Sequence, residues 1–237
     1  ISNQTLVTTQ FYNTSIGYFV LGGGSSNTAV GAFALRNGTG TGNVALGYSA
    51  LGNYPSAGTY NVAIGYDAMS NSSGGGDNVA IGRTALFWNA SGGNQIAIGK
   101  SAMGAYDNGG ANIAMGYQAG YQLSSSAAVY NIFMGYNAGY GVTVGYSNIG
   151  IGYYALANAA GGFNNVVIGH NSGGGIRAGS EYNVFVGGGA GGNESTSGNV
   201  GQGNVGVGHG TLAFLSASGF PSTYRANTAI GYGAMNT

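Results

Sequence analysis

A nine-residue motif recurs along almost the whole chain and constrains the fold more than any other feature. It reads NVALGYSAL from Asn43, NVAIGYDAM from Asn61 and NVAIGRTAL from Asn78. Thirteen copies align on the motif's glycine, and successive glycines lie 14 to 23 residues apart, most often 17. A repeat of this length is typical of solenoids, in which each unit buries its apolar residues only against its neighbours. The aligned glycines are Gly17, Gly31, Gly47, Gly65, Gly82, Gly99, Gly116, Gly135, Gly152, Gly169, Gly187, Gly208 and Gly231.

Each position of the repeat keeps its chemistry from copy to copy. We number positions from the aligned glycine, which is position 0. Position −4 is Asn in twelve of thirteen copies, with Gln95 as the exception, and position −1 is always Ile, Val, Leu or Met. Position −3 is Val, Ile or Thr, position −2 is usually Ala, and position +1 is Tyr in seven copies. Because side chains alternate between the faces of a strand, positions −3, −1 and +1 share a bulky face and −2 and 0 share a small one.

These columns predict an all-β fold, a parallel β-solenoid of about thirteen coils with a period near 17 residues. The SAL or DAM after the glycine is interpreted as a second short strand, and the glycine as a bend or a place of close backbone approach. We expect the bulky face to form the buried ladder, so that aspartate at Ile64 or Ile98 would prevent folding. The Asn column is interpreted as a ladder of stacked amides whose residues also suit left-handed corners. Its members include Asn43, Asn61, Asn78, Asn112, Asn131, Asn148, Asn165 and Asn183.

Composition excludes several classes of protein. Glycine makes up 51 of 237 residues without falling at every third position, which excludes collagen. Charged residues are only 4% and the net charge is zero, so neither simple disorder nor nucleic-acid binding is expected. No apolar run is long enough to predict insertion into a membrane. The chain contains no cysteine, so no disulfide contributes to its stability.

The repeat also sets the expected domain organisation. We predict a single repeat domain over 1–237, with an N-terminal cap at about 1–12. Regular coils are expected over 13–186 and coils with longer loops over 187–237. The two longest connections contain NESTSGNVGQG and AFLSASGFPSTYRA.

The small-residue face suggests close packing, either inside a narrow roll or against sister chains. The segments NTAIGYGAM, NVAIGYDAM and NIAMGYQAG resemble the head repeats of trimeric autotransporter adhesins and, more closely, repeats in bacteriophage tail-fibre proteins. The resemblance covers Asn13 to Met235. It implies a left-handed β-roll, a homotrimer, and attachment to a host cell from an extracellular or virion-surface location. It also favours packing of the strip that contains Ala63, Ala80 and Ala97 against two sister chains.

No residue pattern predicts catalysis, so we expect no enzyme, cofactor or metal site. His170 and His209 occupy position +1, where Tyr is usual, and no second ligand is near either of them in the sequence. Aromatic residues are the candidates for contact with a receptor such as a cell-surface glycan, although the tyrosines could instead only pack on one another. These candidates are Tyr48, Tyr66, Tyr117, Tyr136, Tyr153, Phe87 and Trp88. The function expected is a fibre shaft or adhesin-like segment, and the alternative is the subunit of a self-assembling extracellular filament.

Overall fold

The chain forms a parallel β-solenoid. The computed structural model describes residues 12–21, 23–53, 58–107, 109–192, 201–213 and 226–235, and these contain β-strands and turns but no helix. They make about ten turns with a period near 17 residues. One sheet contains thirteen strands, all paired in parallel, and a second sheet contains only two.

Each strand of the large sheet covers positions −3 to −1 of one repeat. These strands are β1 (Thr14–Ile16), β2 (Thr28–Val30), β3 (Val44–Leu46), β4 (Val62–Ile64), β5 (Val79–Ile81), β7 (Ile96–Ile98), β9 (Ile113–Met115), β10 (Ile132–Met134), β11 (Ile149–Ile151), β12 (Val166–Ile168), β13 (Val184–Val186), β14 (Val205–Val207) and β15 (Thr228–Ile230). The small sheet pairs β6 (Trp88–Asn89) with β8 (Tyr106–Asp107). The register places like positions side by side, as in Ala63, Ala80 and Ala97. The predicted parallel stacking of equivalent residues is therefore confirmed.

The two faces of the sheet are the reverse of those predicted. The small residues at position −2 point inward, and Ala63, Ala80 and Ala97 are completely buried. The bulky residues at positions −3 and −1, including Ile64 and Ile98, are only partly buried and lie on the outer face. The interior is too thin for two facing layers of large side chains, so alanine fills it. Of the two alternatives for the Ala strip, packing inside a narrow roll is confirmed and packing against sister chains is wrong. The expectation that Ile64 lies in the core is also wrong.

The thin core is filled by pairs of positions whose sizes compensate. Buried residues at positions +3 and +4, such as Ala102 and Met103, complete the core beside the position −2 alanines. Where position −2 is Phe133, position +4 is Gly139, and a Cβ on that glycine would lie 2.4 Å from the phenylalanine ring. Phe185 faces Gly191 in the same way. Total volume is thus conserved within a coil, as close packing requires.

The segment after the glycine is a series of turns, not the predicted second strand. Positions +2 and +4 have positive φ in most coils, as at Ser101 (56°) and Met103 (45°). Position −5 is also left-handed, as at Tyr130 (60°). The left-handed corner therefore precedes the ladder Asn, which does not itself occupy it. Left-handed backbone costs roughly 1–2 kcal/mol per non-glycine residue, so stacking of the coils must hold these turns in place.

The aligned glycine combines both roles that the sequence suggests for it. From Gly17 to Gly231 its φ lies between 119° and 145°, a region that residues with a side chain avoid. It also lies against the next coil, since a Cβ on Gly99 would be 2.4 Å from the carbonyl oxygen of Gly116. Both the bend and the close approach therefore require glycine.

The predicted amide ladder is confirmed and proves to connect the coils. The Oδ1 atom of Asn131 accepts hydrogen bonds from the backbone N–H of Asn148 at 3.0 Å and from its Nδ2 at 3.2 Å. The Asn131 Nδ2 donates to Asn112 Oδ1 and to the carbonyl oxygen of Gly145. Gln95 keeps this function, because its Nε2 donates to Gly109 and its Oε1 accepts from Asn112. The eight predicted ladder asparagines are all buried.

Removal of one ladder amide should destabilise the protein strongly. Asn131→Ala leaves the Asn148 N–H and the Gly145 carbonyl without their partners inside the fold. At about 1–3 kcal/mol for each unsatisfied buried group, we expect a loss of roughly 3 kcal/mol. For a chain of this length the thermal midpoint should fall by about 10 °C. Asn53→Ala is the matched control, because Asn53 also stacks on asparagines but is exposed. Equal shifts for the two variants would contradict the structural role of the ladder.

Two parts of the predicted organisation lie outside the described residues. They are the N-terminal cap, except for Tyr12, and most of the two longest connections, at 193–200 and 214–225.

Candidate functional site

The position +1 residues form an aromatic column that runs along the rod, directly after the glycine bend. Tyr48 and Tyr66 stack with ring centroids 5.0 Å apart and an interplanar angle of 11°. Further along, Tyr136 stacks on Tyr117 at 4.8 Å and on Tyr153 at 5.3 Å. These spacings are close to the separation of about 4.8 Å between neighbouring strands. One ring per coil therefore continues the backbone stacking at the surface.

The column is divided into two groups of tyrosines by basic residues. Arg83 and Lys100 occupy position +1 between Tyr66 and Tyr117, and the Lys100 Nζ lies 5.2 Å from the centre of the Tyr117 ring. This cation–π contact ends the second tyrosine group. The five candidate tyrosines thus form one pair and one triplet, and the structure does not bring them into a single site.

The tyrosine rings are packed and solvent-accessible at the same time. Tyr48, Tyr66, Tyr136 and Tyr153 are 44–53% exposed, whereas Tyr117 is half-buried. Loss of hydration raises the pKa of Tyr136 above its ordinary value, and the neighbouring tyrosines Tyr154, Tyr117 and Tyr153 raise it further. Tyr136 therefore stays protonated, and able to donate a hydrogen bond, throughout the neutral range.

Phe87 and Trp88 lie on a different part of the coil. Their rings meet edge to face with centroids 5.4 Å apart, and Trp88 is 46% exposed. They line an open cleft of about 620 Å³ together with Tyr121 and the hydroxyls of Thr84 and Ser101. This cleft offers apolar walls and polar atoms, a combination typical of binding sites for small polar molecules.

A second cleft was not predicted from the sequence. It has a volume of about 380 Å³ and is lined by Tyr48 and Tyr66, together with Arg36, Asp67 and Asn71. Arg36 follows Gly31, whereas Asp67 and Asn71 both follow Gly65, two coils further along, and all three occupy different positions of the repeat. No local motif therefore connects Arg36 with the other two. Their only signal in the sequence is that charged residues are rare, which makes Arg36 and Asp67 conspicuous.

Neither metal binding nor a membrane-spanning helix is indicated by the described part of the chain. It holds no group of three or more His, Cys, Asp or Glu side chains that could bind a metal ion. Within the same ranges, no helix has the length and apolarity needed to cross a bilayer.

Comparison with known proteins finds no family model, no curated protein and no solved structure that matches this chain.

Proposed function

We propose that the chain is the shaft, or an adhesin-like segment, of a fibrous attachment protein. It acts as a homotrimer on an extracellular or virion surface and reaches or binds a host cell. The observation that carries this proposal is the outer face of the sheet, which we call the aliphatic face. It consists of the side chains at positions −3 and −1 of the thirteen strands.

The aliphatic face is apolar along its whole length. Position −1 is Ile, Val, Leu or Met in every strand, and only three of the thirteen residues at position −3 are threonines. Several of these side chains are more than a third exposed, for example Leu46 at 46% and Met134 at 38%. A strip of thirteen strands about 4.8 Å apart is roughly 60 Å long. With a width of roughly 10 Å, its area is on the order of 600 Å².

An apolar strip of this size is best explained as a subunit interface. Monomeric soluble proteins rarely leave a contiguous apolar patch larger than a few hundred Å² in contact with water. A second copy of this chain is the favoured occupant, because the strip follows the repeat from end to end and carries no charge to select a charged partner. This face replaces the buried Ala strip as the contact between chains.

The resemblance to adhesin and tail-fibre repeats supplies the finer details. It favours three chains and a left-handed coil, and the thirteen copies of the repeat favour thirteen coils in total. Three rods joined along their aliphatic faces would bury the apolar strips around a common axis. Stacked coils joined by the amide ladder would give a stiff spacer, which suits attachment at a distance.

Charges placed in the aliphatic face should separate the chains without unfolding them. In the double variant Ile64→Asp and Ile98→Asp, each carboxylate stays hydrated on the outer face of a monomer but would be buried in an interface. We expect wild-type protein to sediment as a trimer and the variant as a folded monomer with an unchanged circular dichroism spectrum. The matched control carries Asn53→Asp and Asn158→Asp at two exposed positions outside this face and should remain trimeric. A folded wild-type monomer would contradict the homotrimer.

The attachment role has a separate test. Fluorescently labelled wild-type protein is incubated with panels of intact bacterial and animal cells, and bound protein is measured by flow cytometry. Saturable binding to a subset of cells is expected, and absence of binding to all of them would contradict a receptor-binding role for this segment.

The alternative function, a self-assembling filament, is favoured by one feature. Strand β15 has a hydrogen-bonded neighbour on one side only, among the described residues. A further coil from another copy would extend the sheet there, and such a head-to-tail contact does not close. Electron microscopy would distinguish the two, since a filament has indefinite length and the shaft has a fixed one.

A further inference from the structure

Gly188 leaves a gap in the aromatic column, and in both adjacent coils position +1 is a histidine. His170 stacks on Tyr153 with centroids 5.1 Å apart, and His209 stacks on Tyr232 at 5.3 Å. Between the two histidines, position +1 is occupied by Gly188. Each imidazole therefore has one face covered by a tyrosine and the other turned toward this gap.

The backbone remains in register across the gap. The N–H of Gly189 donates to the backbone carbonyl oxygen of His170 at 2.9 Å. The N–H of Gly210 donates to the carbonyl oxygen of Gly188 at 2.8 Å. His170, Gly188 and His209 thus belong to three consecutive coils. Two intervals of about 4.8 Å place the imidazole rings about 10 Å apart, so one ring inserted midway would restore the spacing of the column.

The gap is open because two successive side chains are missing. Gly189 follows at position +2, and a Cβ added there would meet no atom within 4 Å. Ala32 is the other small residue in the column, but there the next residue is Phe33, whose ring lies between Tyr18 and Tyr48 at 5.6 and 5.5 Å. The column therefore fills one of its two gaps from its own sequence and leaves the second as a notch of about 390 Å³.

Among the described residues, the notch is lined by the two imidazoles, Asn171, four glycines and Ala213. No described acidic or basic side chain other than the two imidazoles lines it. The Oδ1 atom of Asn171 is buried beside it and accepts no hydrogen bond. The equivalent oxygen of Asn137 also lacks a partner. In the coil after Asn137, however, position +2 carries Tyr154, whereas in the coil after Asn171 it carries only Gly189. A ligand here should therefore carry no charge, have faces that pack on the two imidazoles, and bond their nitrogens from its edge.

We propose that this notch binds a neutral hexopyranose ring, inserted between His170 and His209. A pyranose presents C–H groups on both faces, which pack on aromatic rings, and hydroxyls around its edge, which can bond the imidazole nitrogens. The inference rests on the proposed attachment function, because it names the class of receptor as a glycan. It places recognition at a site distinct from the tyrosine groups and from Phe87 and Trp88.

The two histidines are the only ones in the chain, so their NMR signals report on the notch alone. Wild-type protein labelled with ¹³C at histidine Cε1 is titrated with the methyl pyranosides of glucose, galactose, mannose and N-acetylglucosamine. We expect at least one of them to shift both histidine signals along a saturable curve. p-Cresol is titrated separately as a probe for an aromatic side chain.

Gly188→Tyr is the decisive variant, because it supplies the missing ring. Gly188 has no positive φ, and an added Cβ would lie 3.3 Å from His209 Cδ2, the movable end of a side chain. Pyranoside binding should become at least tenfold weaker, while Arg83→Tyr, which adds a ring to the same column elsewhere, should leave binding unchanged. Gly189→Asn gives a second test, since the preceding coil already carries Asn171 at position +2, and it should also weaken binding.

The outcomes separate this inference from the proposed function. Absence of any shift with all four pyranosides would overturn the sugar assignment, and a response to p-cresol alone would assign the notch to an aromatic side chain instead. Unchanged binding in Gly188→Tyr would place the sugar elsewhere. The sedimentation and cell-binding results test the attachment fibre independently of all these outcomes.

Discussion

Replacing Ala97 with arginine is expected to abolish folding. The Ala97 side chain is completely buried in the thin core and has alanines as its neighbours in both adjacent strands. An arginine there would have to place a long, charged side chain where a single methyl group fits, so both overpacking and burial of an unpaired charge oppose it. The expected loss exceeds the 5–15 kcal/mol that typically stabilises a domain. Circular dichroism should show loss of the β-spectrum, or the protein should be recovered only as aggregate.

The neighbouring residue provides the control. Ile98 points to the outer face, so Ile98→Arg should retain the β-spectrum and change only the association of chains. Which of these two variants loses more stability tests which face of the sheet is inside. If Ile98→Arg unfolds the protein and Ala97→Arg does not, the assignment of the faces is wrong.

This assignment shows what the sequence could and could not predict. The strand positions, the parallel register and the amide ladder follow from the repeat, because residues at the same position of successive coils must stack. The direction of the faces does not follow from it, since both faces are apolar and alternation alone does not tell which is buried. Large apolar residues are usually inside, and that expectation fails for the strands because position +4, as at Met103, already supplies the large buried side chains and leaves room mostly for small ones at position −2. The pairing of Phe133 with Gly139 and of Phe185 with Gly191 is the signal in the sequence that would have identified the core.

The candidate sites were predictable to a smaller extent. The tyrosine column follows from position +1, and its rings stack as the repeat predicts. The division of the column and the two clefts depend on which coil carries a basic residue or a glycine. The notch between His170 and His209 required knowledge of the register, because Gly188 resembles the many other glycines of the chain until its two neighbours in the column are known.

The aligned glycine gives the second large effect. Gly99→Ala adds a Cβ 2.4 Å from the carbonyl oxygen of Gly116 and 2.7 Å from its carbon, in a coil that is held on both sides. It also forces a φ of 131° on a residue with a side chain. Backbone strain alone costs about 1–3 kcal/mol, and the contact requires two coils to move apart. We expect a loss of more than about 4 kcal/mol.

Two further glycines separate the causes of this loss when denaturant unfolding of all three variants is compared. Gly231 has a φ of 119° but no atom within 4 Å of an added Cβ, so Gly231→Ala should show the strain without the contact, a loss of about 1–3 kcal/mol. Gly188 has no positive φ, and an added Cβ would meet only the movable His209 ring, at 3.3 Å. Gly188→Ala should therefore change stability by less than about 1 kcal/mol, since alanine also reduces the entropy of the unfolded chain. The expected order of destabilisation is therefore Gly99, Gly231, Gly188. Equal losses of stability in Gly99→Ala and Gly231→Ala would show that the positive φ alone requires glycine at this position. They would also show that moving two coils apart costs no stability.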